Sequence, residues 1–359
     1  MVTIIYPKLN FPCGYQTYTQ QVLKGLKTFS YPYRDFGISK KEFSFLGKPF
    51  GGLVSQKLFA SIYAAAEHPI HALAPEIAPS AVDIVTVHDV IPYVFPELYT
   101  GNEYNSTAFK WTFMNVKNAD VVIAMSETSK VNIAKVLNID SKMIEVISPS
   151  VDHSTFYPDS NSPYPENGKF HLVTVGDYNV RKRHELLYEM VSHEKDIELY
   201  HIGIANTNDA IGARLTKIAK STDNIFMLGD VDNDTIRRYL SNADLFVSMA
   251  VDEGFGIPPV EAMACGTNVL LNDIPVYREI EGDMASYCTV DSFISAVYKA
   301  IVLHKHTDKD LVTYSERFSM ANQTRKLIEL YNRLSKKNTT TGSGWNNVHS
   351  MLGMQRDVA

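Results

Sequence analysis

Residues 252–266, DEGFGIPPVEAMACG, leave this chain few ways to fold. The run before them, DLFVSMA at 244–250, is short and mostly apolar and contains neither Gly nor Pro, as a buried strand requires. A loop must follow. Gly254 and Gly256 allow backbone angles and close approaches that a side chain forbids, while Pro258 and Pro259 fix φ where a helix can begin without their missing N–H groups. The spacing predicts a helix over 260–264, ended by Cys265 and Gly266. Strand, glycine turn and helix together form the unit of an open α/β sheet, whose ligands sit beyond the carboxyl ends of the strands. Glu253 after the strand and Glu261 in the first turn of the helix then both point into that crevice. The turn N–H groups between them can donate to sugar hydroxyls or phosphate oxygens. Two glutamates alone would read as solvated carboxylates at a loop edge, so the rest of the chain decides.

The same alternation recurs along the sequence. Residues 2–6 read as a strand, 8–14 as a loop, and 17–29 as a helix with Tyr18, Val22, Leu26 and Phe29 on one face. Strands are expected at 82–87, 120–125 and 142–148, with Ser126 capping a helix that runs to about 137. The stretch up to 169 is crowded with Pro, Ser, Asn and Asp, as a linker is. Beyond it come a strand at 170–175, a helix at 184–191 and strands at 197–202 and 225–228. With 359 residues the chain can bury two cores. The expected division is one Rossmann-like unit over 1–151, a linker over 152–169 and a second Rossmann-like unit over 170–336. Residues 337–359 are polar and aperiodic and read as a disordered tail.

Composition and motifs exclude several functions. A chain 45% apolar and 21% charged, with formal charge −6, is an ordinary globular protein and a poor general binder of nucleic acid. No GxGxxG follows the first strand, which argues against a nicotinamide or flavin enzyme. Cys13, Cys265 and Cys288 are too scattered for a disulfide framework or a zinc site. No apolar run reaches the roughly 18 residues of a spanning helix, and MVTIIYPKLN lacks a signal peptide's charged start, so a cytoplasmic location is expected. Residues 24–57 carry seven cations against two anions, interleaved with Phe36, Phe43, Phe45 and Phe50. Such a segment either meets an anionic membrane at its inner face, or a phosphate-linked lipid acceptor, or is a solvated loop with its aromatics turned inward. GDVDND at 229–234 holds two overlapping DxD strings that suit a divalent cation, but Asp232 to Asp234 are well placed to cap a helix over 235–241, and that is the expectation.

With GFG after its first glutamate and AMACG after its second, the glutamate, seven residues, glutamate spacing resembles the signature of glycosyltransferase family 4, the retaining GT-B enzymes. DIPVYREIEGD at 273–283, VHDVIPYVFPE at 87–97, VRKRHELL at 180–187 and Arg317-Phe318-Ser319 before a final helix look like the same family. The resemblance implies an α/β GT-B fold, two Rossmann-like domains facing across a cleft, with the last helix returning to the first domain. It implies transfer of a hexose, mannose or glucose, from a GDP- or UDP-sugar to a glycan, lipid-linked or small-molecule acceptor, with no cofactor and no metal. On the matching positions, His88 lies beside the transferred sugar, and Asp89 either orients it or caps the next turn. Glu253 holds sugar hydroxyls with the N–H groups of Gly254, Phe255, Gly256 and Ile257, and Glu261 accepts from the ribose. Gly14 lets the first loop approach the donor, and the backbone near Val231 contacts the base. Arg181 and Lys182 stabilise the leaving diphosphate; Asp177 stands where the family often has Arg, and Arg181 takes that cation's share. The departing phosphate, not a protein base, takes the acceptor's proton. A nucleotide-sugar epimerase of the same fold, or a catalytically silent sugar-nucleotide or glycan-binding module, shares this architecture.

Overall fold

The computed structural model describes residues 1–8, 14–39, 44–45, 48–49, 68–99, 106–204, 210–303 and 305–340. Two six-stranded sheets, parallel throughout, carry the fold. The first contains β1 (Val2–Lys8), β2 (Tyr33–Ser39), β5 (Ile70–Ala72), β6 (Ile84–Val87), β7 (Val121–Ala124) and β8 (Ile144–Val146), in the order β2-β1-β5-β6-β7-β8. A small antiparallel pair, β3 (Ser44–Phe45) and β4 (Lys48–Pro49), stands apart from it. The second contains β9 (Phe170–Val175), β10 (Ile197–Ile202), β11 (Ile225–Gly229), β12 (Leu245–Ser248), β13 (Val269–Asn272) and β14 (Ser286–Cys288), in the order β11-β10-β9-β12-β13-β14. Both are buried on two faces, which is why strands such as β6, β7 and β12 are apolar runs without alternation.

In the second sheet the strand order reverses between β9 and β12, so the loops after these two strands diverge and leave a crevice between them. The loop after β9 carries Arg181 and Lys182, and the loop after β12 carries Glu253. Topology alone therefore brings the cations and the carboxylate to one place.

The first helix runs from Gly14 to Thr28, so Gly14 begins the helix instead of ending the loop before it. Tyr18, Val22 and Leu26 are fully buried on it, whereas Phe29 lies beyond its end and is 37% exposed. The last helix, Met320–Thr340, lies on this one and buries Leu327, Leu330, Tyr331 and Leu334 at helical spacing. A Cβ on Gly25 would stand 2.1 Å from Thr324 Oγ1, so the absence of a side chain sets how closely the two helices approach. Tyr331 Oη meets His71 Nδ1 at 2.8 Å, and His71 Nε2 meets Thr86 Oγ1 at 2.8 Å. Burial pushes the His71 imidazole down to about 3, so this buried polar chain is neutral. The helix continues through residue 340, so the expected tail does not begin at 337; residues 341–359 lie outside the described residues.

The segment around 151–169 is tied at both ends. Val151 N donates to Phe318 O at 2.8 Å, and Asp152 pairs with Lys24. Asp159 pairs with Arg237 at 3.0 Å, and Tyr164 stacks on His171 with ring centroids 4.6 Å apart. Lys24, one of the seven cations of 24–57, thus has an ion-pair partner in the chain while staying exposed; residues 40–43, 46–47 and 50–57 of that segment lie outside the described residues.

Candidate functional site

β12 delivers the chain to a turn held by its neighbours. Ser248 Oγ lies 2.9 Å from Tyr277 Oη, Asn272 Nδ2 donates to Ala250 O at 2.8 Å, and Asp252 Oδ1 accepts from Glu253 N at 2.9 Å. Gly256 caps the next helix at φ +90°, where a side chain would be strained and its Cβ would stand 2.8 Å from the Tyr277 ring. That helix is Ile257–Ala264, so it starts three residues earlier than the sequence suggests. Pro258 and Pro259 sit inside its first turn, where N–H groups have no intrahelical acceptor and their loss costs nothing. Glu261 therefore stands in the second turn, and not the first as expected.

The turn also joins the two halves. The carbonyl oxygen of Gly254 accepts from Ser126 Oγ and Ser129 Oγ, each at 2.8 Å, from the N-terminal end of the helix Glu127–Leu137. On its other side, a Cβ on Gly254 would lie 2.4 Å from the carbonyl oxygen of His88. Gly254→Ala should accordingly force the halves apart, costing about 1–3 kcal/mol as overpacking does. A variant that melts like the parent would disprove that contact.

Glu253 lies between two cations. It pairs with Arg181, and with Lys182 Nζ at 2.5 Å; Arg181 Nη1 also donates to Asp252 O at 3.0 Å. Asn179 Oδ1 accepts from Arg181 N at 2.9 Å and so fixes the short turn that presents both cations. Burial would raise the Glu253 carboxyl, but Arg181 and Lys182 outweigh it and hold the group below its usual range. Burial lowers Lys182, with Glu253 opposing, while Arg181 is raised: burial works against its charge, and Glu253 and Asp89 more than restore it. Asp89, from the first half, is pushed up by burial and faces this cluster across the crevice. Its Oδ1 accepts from Ile91 N at 3.1 Å, so Asp89 caps the next turn.

His88 Nε2 lies 3.0 Å from Leu73 O, a contact that requires this nitrogen to carry the proton, with the rings of Tyr15 and Tyr18 packed against the imidazole. Burial pushes its pKa down to about 4, so the ring is neutral and Nδ1 keeps its lone pair. Glu261 is only 8% exposed, and no hydrogen bond reaches its carboxylate among the described residues. Burial alone pushes it up to about 8. Val231 follows β11 and packs on the same core as the helix Ile257–Ala264. Gly14 is exposed, with open space where a Cβ would be. Asp232 accepts from Thr235 N at 2.8 Å, as a helix cap, and Asp234 pairs with Arg237.

The contributions of four residues escape a sequence reading. Asn179 offered a signal, an Asn two residues before the first cation, as in a turn cap. Ser126 reads as a helix cap and Ser129 falls inside that helix, but nothing local says that they also hold Gly254. Glu281, fully buried with neither carboxyl oxygen hydrogen-bonded among the described residues, follows a helix of ordinary surface composition. Burial holds it well above the usual carboxylate range, close behind Gly256.

The family of glycosyl transferases group 1 matches residues 159–301. An O-antigen chain mannosyltransferase, RfbU of Salmonella typhimurium, is 31% identical over 211 residues, covering 58% of this chain and 56% of that protein. The serotype-specific mannosyltransferase WbdA of Escherichia coli is 23% identical over 282 residues, 73% of this chain and 34% of that protein. The chain thus spans about half or less of the length of these relatives. Among solved structures, a sucrose-phosphate synthase of Thermosynechococcus elongatus superimposes with TM-score 0.79 over 94% of this chain and 100% of its own, at 17% identity. The fold is GT-B, as the sequence resemblance implies.

Proposed function

From the match of residues 159–301 to the group 1 glycosyl transferases, we propose that this chain is a retaining glycosyltransferase that moves a hexose from a nucleoside diphosphate sugar to a glycan, lipid-linked or small-molecule acceptor. The observation that carries the proposal is the Arg181–Glu253–Lys182 cluster at the reversal of strand order, with the unpartnered carboxylate of Glu261 on the helix that follows. Breaking a glycosidic bond to a diphosphate builds positive charge on the sugar and negative charge on the leaving group. Two fixed cations in a buried crevice meet the second need, and Glu253 beside them meets the first while its second task is to take sugar hydroxyls. Glu261 offers a carboxylate to the ribose hydroxyls, and the N–H groups of Gly254 to Ile257 face the sugar. The neutral His88 contributes an acceptor at Nδ1 for a sugar hydroxyl. The departing phosphate takes the acceptor's proton, which requires no protein base.

Mannose is the sugar we assign, since both relatives above are named mannosyltransferases; guanosine diphosphate is the carrier we propose with it. No metal is needed in this reading, because Asp232 is used as a helix cap and Asp234 by Arg237. Calorimetric titration with guanosine, uridine and adenosine diphosphates, each with and without magnesium, tests it. One of them should bind equally well in both conditions. Failure of all three would remove the site, and binding only with magnesium would remove the metal-free mechanism.

A further inference from the structure

A cavity of about 300 Å³ lies away from this cluster, where the chain crosses between halves. None of Arg181, Lys182, Glu253 or Glu261 lines it. Its walls come from three places: Ser148 after β8, Glu279 from the helix Pro275–Ile280, and Arg317, Ser319, Gln323 and Lys326 from the returning segment. The charge inside is unbalanced. Among the described residues neither Arg317 nor Lys326 enters an ion pair; Arg317 lies over the Tyr314 ring, 4.6 Å from its centroid. The carboxylate of Glu279 is already spent on the helix Glu127–Leu137, accepting from Glu127 N at 2.6 Å, Thr128 N at 2.8 Å and Thr128 Oγ1 at 2.7 Å. Ser319 and Gln323 belong to the N-terminal end of a 21-residue helix, the positive end of its dipole. Gln323 is only 4% exposed: its Oε1 accepts from Ser150 Oγ at 2.9 Å, while its Nε2 donates to nothing. A buried amide donor left unpaired is costly, and here it belongs to a residue that lines a cavity holding two cations against the single carboxylate of Glu279.

We propose that this cavity binds a small soluble phosphate monoester, its dianion held by Arg317, Lys326 and Gln323 Nε2. The volume admits the phosphate and a body of a few carbons. Because the walls come from the first half, the second half and the returning segment, an occupant would bridge all three, and Glu279, which ties the second half to the helix Glu127–Leu137, stands in its wall.

Calorimetry with inorganic phosphate and with glycerol 3-phosphate tests the assignment on the full chain. The parent and Lys182→Ala should bind glycerol 3-phosphate alike, since the cleft cation is not involved. The double substitution Arg317→Gln with Lys326→Gln should weaken binding by about ten- to a hundredfold, the loss expected when hydrogen bonds to a charged group are removed. Both side chains are exposed, so the fold should survive, and an unchanged melting curve verifies this. Glycerol 3-phosphate binding that disappears in Lys182→Ala yet persists in the double variant would place the phosphate in the cleft and overturn the proposal. Absence of binding to the parent by either probe would overturn it as well.

Discussion

Glu261→Gln should weaken nucleoside diphosphate binding and, at the same time, stabilise the ligand-free protein at alkaline pH. The buried Glu261 carboxyl has no partner, and burial raises its pKa from 4.5 to about 8. A raised carboxyl favours folding while it keeps its proton in both states. That stability is fully present below the unfolded value and is lost as pH rises through about 8. Above that point the folded state has lost on the order of a few kcal/mol relative to acid conditions through this group alone. Glutamine does not titrate, so the variant should match the parent near pH 4.5 and exceed it near pH 8.5 in denaturant midpoint. Binding should run the other way. Ribose hydroxyls donate best to the ionised carboxylate, and losing a charge-assisted pair of hydrogen bonds costs about 1.5–3 kcal/mol. The parent's affinity should therefore climb as pH rises toward 8, while the variant's stays flat. Equal pH profiles for parent and variant would take Glu261 out of the nucleotide site.

This opposition between stability and binding explains which parts of the protein a sequence can announce. The parallel strands are legible because burial on both faces makes them apolar runs, and the crevice is legible because only glycine fits at Gly254 and Gly256. The cap at Ser126 follows from chemistry within a few residues. The helix start at Ile257 was not legible, because two consecutive prolines read as a boundary when they are in fact tolerated throughout a helix's first turn. Phe29 fits the apolar period of its helix but falls past the end, where the chain turns toward β2.

Long-range partners form a second illegible class. Ser129 and Gly254 are 125 residues apart, and Glu279 caps a helix 152 residues earlier in the chain. Each is an ordinary residue in its own neighbourhood. Glu281 belongs here too, because its burial is imposed by packing against Tyr277 and Gly256 that no local pattern records. The functional consequence is that the donor turn is not a free loop. Its carbonyl at Gly254 and the capping carboxylate of Glu279 both end on the same helix, Glu127–Leu137, so the position of the first half and the shape of the turn are coupled.

Lys182→Ala should lower turnover by about 10²- to 10³-fold, the loss seen when one fixed electrostatic partner of a transition state is removed, while changing the melting temperature little. The asymmetry comes from the cluster's composition. Two cations share one carboxylate, so removing Lys182 leaves Glu253 still paired with Arg181. No buried charge is orphaned, and the 3–5 kcal/mol cost of an uncompensated ion does not arise. Lys182 itself loses a position in which burial already disfavours its charge. Turnover has no such reserve. The leaving diphosphate carries more negative charge than one guanidinium offsets, and the deficit is felt most in the transition state, so kcat should fall more than nucleotide affinity. Glu253→Ala is the contrasting case, since it would leave Arg181 and Lys182 facing each other without an anion and should cost stability as well as activity. If Lys182→Ala lost melting temperature in proportion to activity, or if its kcat stayed within a few-fold of the parent, Lys182 would be a structural partner of Glu253 and the leaving-group site would lie elsewhere.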